Sequence, residues 1–107
     1  MATIVRGTTD DIVTALQSAL EALERDRPGA EASLYRSNPG SVRVRVIDRR
    51  FEGTTRSHRH DEVWSYLRSR AGEDAMTEVS QLLLFAPAEL GGSLANLEFE
   101  DPVETPH

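Results

Sequence analysis

Residues 41–48 read Ser-Val-Arg-Val-Arg-Val-Ile-Asp, and Val42, Val44 and Val46 alternate there with Arg43, Arg45 and Ile47. A period of two with β-branched residues marks a strand with one buried face. The valines therefore face a core, while Arg43 and Arg45 face the other way. Just upstream, Asn38-Pro39-Gly40-Ser41 is a turn signal. Residues 31–37, with Ala32, Leu34 and Tyr35 as apolar members, form a strand before that turn. Two strands joined so tightly make a hairpin.

Working outward towards the N-terminus, residues 8–27 read as a helix. Ile12, Leu16, Ala19, Leu20 and Leu23 recur at helical spacing and form one apolar stripe. Thr8 with Asp11 three residues later resembles a capping box, and Pro28-Gly29 ends the helix. Towards the C-terminus, Phe51-Glu52-Gly53 leads through a loop to a second helix, Ser57 to Ala71. Val63, Trp64 and Leu67 are its inward residues, and Gly72 is its stop. A short turn is expected over Asp74 to Glu78.

Residues 79–86, Val-Ser-Gln-Leu-Leu-Leu-Phe-Ala, read as a third strand, apolar enough for the sheet interior. Its place after a helix predicts a crossover to a parallel neighbour. Pro87 to Leu90 opens one more helical turn, stopped by Gly91-Gly92. Leu94, Leu97 and Phe99 punctuate an acidic segment expected to cover the sheet edge or to dock on another subunit. The order helix, strand, strand, helix, strand predicts one α+β domain over residues 1–100, with a three-stranded mixed sheet and its helices on one face. Residues 101–107, acidic and proline-containing, are expected to be a flexible tail.

The chain has 107 residues, enough for one core but not for a deep interdomain cleft. A hydrophobic fraction of 38% with 28% charged residues belongs to a globular domain, not a disordered one. There is no cysteine, which excludes disulfides, thiolate-held zinc or iron–sulfur clusters and cysteine nucleophiles. No apolar run approaches the roughly 20 residues that cross a bilayer, and Met1 to Asp11 has no apolar signal core. A cytoplasmic location without membrane contact is the expectation.

The net charge is −6, yet it is unevenly spread. All twelve basic residues are arginine. Residues 36–70 hold nine arginines against four acids, whereas residues 71–107 hold eight acids and no base. A basic middle flanked by acidic ends suggests two readings. Arg36, Arg43, Arg45, Arg56 and Arg59 form a candidate surface for a protein partner or for phosphate backbones. Alternatively, those arginines pair with the acids at the two ends. Against single-strand binding, Tyr35 is the only stacking candidate on the hairpin.

From Val42 to Glu89 the chain resembles the BolA family. The residues that carry the likeness are the hairpin, Phe51-Glu52-Gly53, the run Arg59-His60-Asp61-Glu62-Val63-Trp64, the strand Val79 to Phe85, and Pro87-Ala88-Glu89. The likeness implies a fold similar to the type II KH domain, although no G-x-x-G phosphate clamp is present. It also implies Phe51, Gly53 and His60 as motif residues, and His60 as a ligand in a [2Fe–2S] cluster shared with a monothiol glutaredoxin. The family's second histidine falls on Ser80 here, and its hairpin-loop ligand falls within Asn38–Ser41.

Read without the family, His58-Arg59-His60 is at most half a zinc site, because same-face helical ligands sit three or four residues apart. No G-x-S-x-G, P-loop or dinucleotide fingerprint is present. The expectation is a BolA-like interaction domain without catalysis or a resident cofactor. It would bind a protein partner, with nucleic-acid binding and cluster sharing as alternatives and a homodimer as one possible assembly.

Overall fold

The computed structural model describes residues 4–6 and 9–100, the former in backbone only. The expected tail at 101–107 and the capping role of Thr8 lie outside the described residues. In chain order the elements are β1 (Ile4–Arg6), α1 (Asp11–Asp26), β2 (Glu31–Asn38), β3 (Ser41–Ile47), α2 (Arg56–Ala71), α3 (Glu73–Met76), β4 (Val79–Phe85) and α4 (Leu94–Glu100). Short 3₁₀ helices occupy Arg49–Phe51 and Pro87–Gly92.

The fold is α+β, built on a mixed sheet. Strands β2 and β3 form the expected antiparallel hairpin, and β4 runs parallel to β3 after the α2 crossover. The hairpin turns through Gly40 at φ +80°, a left-handed conformation that glycine adopts without steric cost. β1 adds a fourth strand, parallel to β2, so the sheet order is β1-β2-β3-β4. The expected three-stranded sheet is therefore extended by one short strand, too brief to stand out by periodicity.

This order corrects a second expectation. β4 lies at the edge of the sheet, not inside it. Its seven residues are apolar enough for an interior strand, but no later segment pairs with it among the described residues.

Val42, Val44 and Val46 are fully buried, as their alternation requires. Opposite them in the register stand Leu34 and Ala32 on β2 and Leu82 and Leu84 on β4. Helix α1 lays Val13, Leu16, Ala19, Leu20 and Leu23 on this face, and α2 contributes Val63 and Leu67. Val13 heads the α1 stripe, while Ile12 is only partly buried. The helix is capped by Asp10, whose carboxylate accepts the Val13 amide at 3.0 Å. Trp64 and Tyr66 pack at the rim of the core.

The third correction concerns the opposite face. The register puts Tyr35, Arg43, Arg45, Gln81 and Leu83 on that side of the sheet. It is covered there by residues 94–100, which form a helix. Phe99 is fully buried against Tyr35, with ring centroids 5.0 Å apart. Asn96 is buried one turn earlier, and Leu97, on the outer side, is 59% exposed. Helical spacing of 96 and 99 explains the pattern better than strand alternation of 97 and 99. Helices thus sit on both faces, and α4 covers the sheet's face, not its edge.

Candidate functional site

The five candidate arginines are not gathered into one free surface. Arg36 stands opposite Val42, on the α1 face, not beside Arg43 and Arg45. It donates two hydrogen bonds to Asp10, at 2.6 and 3.1 Å, and one to Glu78 at 2.9 Å. This guanidinium, with help from the Val13 amide, holds the Asp10 carboxyl below the usual carboxylate range. The carboxylate that caps α1 is thus also the counter-ion of the hairpin arginine.

Arg43 and Arg45 do lie on one face, but α4 brings acids over them. Arg45 donates to Asn96 and to Glu100, both at 2.7 Å, and its guanidinium lies 4.8 Å above the Phe99 ring. Arg43 donates to the Tyr35 hydroxyl at 3.1 Å and stands 3.7 Å from Glu98. The acidic C-terminal third therefore neutralises the basic hairpin within one chain, which is the second of the two readings that the charge layout suggested.

Arg59 is only 5% exposed and is a structural anchor. Its guanidinium donates to the Phe51 carbonyl at 2.6 Å, the Thr54 hydroxyl at 2.8 Å and the Leu84 carbonyl at 3.1 Å. It also grips both oxygens of Glu89, at 2.6 and 2.9 Å. Glu89 in turn accepts the Ala86 amide at 2.8 Å. Bonding to Arg59 first, and to that amide second, holds the Glu89 carboxyl down at about 2. The family-like residues converge here: the Phe51-Glu52-Gly53 turn, Arg59 of α2 and Glu89 after β4 are tied together by one side chain. Phe51 is buried in the core, and Gly53 takes φ +75°, which explains the glycine.

His60 projects from the first turns of α2 with 53% of its side chain exposed, stacked on Trp64 at 5.4 Å between ring centroids. His58 lies on the same helix two residues earlier and faces Glu62 at 3.8 Å instead. Both histidines are on α2 rather than on a loop, so they diverge. Among the described residues no three His, Cys, Asp or Glu side chains converge on a common point for a metal ion. Ser80, where the likeness would put a second histidine, and Ser41, at the end of the hairpin loop, hydrogen-bond each other through their hydroxyls. One imidazole and two hydroxyls are not a donor set for an iron–sulfur cluster.

What the arginine count did not point to is a groove along the outer edge of β4, with a volume of about 890 Å³. One wall is the N-terminal end of α2, with Arg56 and His60. The other is apolar, made by Leu83, Phe85, Ala88 and Ala95. Every residue of β4 except the exposed Ser80 is only half-buried, and no charge occurs from Val79 to Ala86. Arg56 is exposed and has no hydrogen bond or ion pair among the described residues. The uncharged run was visible in the sequence; that it forms an edge was not.

Comparison with protein-family models, curated proteins and solved structures gives no match to this chain. No helix among the described residues is long and apolar enough to cross a membrane.

Proposed function

We propose that the chain is a divergent BolA-like domain that acts as a non-catalytic interaction module for a protein partner. The observation that carries this reading is a contrast between two surfaces. Arg36, Arg43, Arg45 and Arg59 already have carboxylate partners within the chain. The apolar strand β4 and the groove beside it remain accessible. Accessible apolar surface beside a few charges is what protein interfaces use, whereas phosphate binding needs free cations. The order of elements and the meeting of Phe51, Gly53, Arg59 and Glu89 support the BolA-like likeness, because those motif residues serve the fold. His60 is the remaining family residue with an exposed side chain, and it lines the groove.

The test is affinity capture from the source cell with the full chain as bait, after nuclease treatment and washing at high salt. One or a few proteins should persist under both conditions. Recovery that disappears with nuclease or salt would overturn the protein-partner reading. A nucleic-acid reading keeps one specific support: Arg49, Arg50 and Arg56 carry no side-chain hydrogen bond or ion pair among the described residues. It predicts salt-steep retention on heparin that the triple change to glutamine removes.

A further inference from the structure

We propose that the β4 groove takes an extended strand from the partner, one that alternates acidic and apolar side chains. The inference deepens the protein-partner reading and rests on it.

The argument begins with the backbone. The Phe85 carbonyl accepts the Asp48 amide, so residue 85 points its peptide groups at β3. Peptide groups alternate along a strand, so those of Leu82 and Leu84 point away from β3, to the open side. The Leu84 carbonyl confirms the direction, because it meets Arg59 there. Arg59 and Glu89 therefore occupy the far end of this edge, at Leu84 and Ala86. The amide and carbonyl of Leu82 and the amide of Leu84 face the groove without a neighbouring strand among the described residues. Exposed sheet edges are normally blunted by charge, proline or a covering element. From Val79 to Ala86 there is neither charge nor proline.

The two walls choose the occupant. A strand beside β4 would turn alternate side chains to opposite faces of the sheet. On the α2 face they meet Arg56 and His60; Arg56 makes no hydrogen bond or ion pair among the described residues and feels Glu89, already gripped by Arg59, only at longer range. On the α4 face they meet Leu83, Phe85 and Ala95. Acidic residues suit the first set of positions and apolar residues the second. Main-chain bonds would give the affinity and the alternation the specificity, which is the logic of strand addition. A second copy of this chain fits less well. Its own β4 carries no acidic side chain from Val79 to Ala86, so its edge offers Arg56 no counter-charge.

The probe is a seven-residue synthetic peptide, blocked at both ends, alternating glutamate and valine. It is titrated into the full ¹⁵N-labelled chain. Saturable shifts are expected at the Leu82 and Leu84 amides. Arg56→Glu, at an exposed position, should weaken binding by about tenfold at low salt and turn the preference to a lysine–valine peptide. N-methylation of alternate peptide amides, in either phase, should abolish binding in the phase that faces β4. Equal binding of the two peptides to the unaltered chain would overturn the proposal. So would shifts confined to other surfaces, no saturable shift, or sedimentation showing a dimer that Leu83→Lys dissociates. If the peptide fails while a protein is still captured after nuclease treatment, only strand addition falls and the protein-partner reading stands.

Discussion

Replacing Arg59 by methionine tests whether this residue anchors the fold or serves a partner. The substitution keeps an unbranched apolar stem but removes the guanidinium, with its place over the Phe51 ring and every side-chain donor. The Leu84 carbonyl loses its partner, the Phe51 carbonyl keeps only the Thr54 amide and hydroxyl, and Glu89 keeps only the Ala86 amide. The one carbonyl left unpaired, that of Leu84, costs about 1–3 kcal/mol. Removing one member of a buried ion pair costs about 3–5 kcal/mol in the most enclosed cases. The ionic share is smaller here, because the Glu89 side chain is 41% exposed and can be rehydrated. A total of about 3 kcal/mol is therefore expected. With a urea m-value of about 1–3 kcal/mol/M for a chain of this size, the unfolding midpoint should fall by about 1–3 M. Arg59→Lys should fall between, since a point charge cannot meet four separate groups in a fixed fork. Arg56→Met, at an exposed and unpaired position, should change stability by less than about 0.5 kcal/mol. If Arg59→Met costs no more than Arg56→Met, the anchor assignment is wrong and Arg59 is free for a partner.

Three further outcomes follow from the same contacts. Glu89 is ionised more readily in the folded chain than in the unfolded one, so its contribution is present above the unfolded value near 4.5 and is lost as pH falls from there towards about 2. Urea unfolding between neutral pH and pH about 3 should show that loss, and Glu89→Gln should make the slope shallower; an unchanged slope would refute the role given to Glu89. Phe99→Ala should free α4: its amides lose protection in hydrogen exchange, and Arg43 and Arg45, no longer covered, should raise retention on heparin above that of the unaltered chain. Unchanged exchange in α4 would contradict the packing described. Gly53→Ala should cost about 1–2 kcal/mol by thermal or urea unfolding, because the left-handed backbone is the whole penalty and nothing lies within 4 Å of the added methyl. A much larger loss would mean that the Phe51–Thr54 turn is held more tightly than its geometry indicates.

Much of the secondary structure was legible because it rests on local patterns. The Val42–Val46 alternation, the turn at Pro39-Gly40 and the stripe of α1 each depend on residues close in sequence. The parallel placement of β4 followed from chain connectivity, since a strand after a helical crossover returns in the same direction. The arginine cluster was legible as composition and misleading as a site. Arg36 alternates in step with Arg43 and Arg45 by eye, but the irregularity in the β2–β3 register after Arg36 leaves it on the other face. Arg59 looks like one more surface charge in a polar helix start, yet it is the most enclosed cation of the five, because its acceptors come from sequence positions as far away as Leu84 and Glu89.

By itself, then, the sequence determined an α+β chain with a hairpin and a crossover strand, a basic middle between acidic ends, and a domain without cysteine chemistry. These follow from side-chain size, periodicity and charge, which are properties of neighbours along the chain. The tertiary structure alone decided which charges remain free and which strand, among the described residues, has a neighbour on one side only. Both depend on pairings across dozens of residues: α4 over Arg43 and Arg45, Asp10 and Glu78 on Arg36, Glu89 on Arg59. Those pairings occupy four of the five arginines on which a binding surface had been placed. The open edge of β4, with Arg56 and His60 on its rim, is what they leave accessible, because an edge is defined by what fails to pair with it and not by any residue it contains.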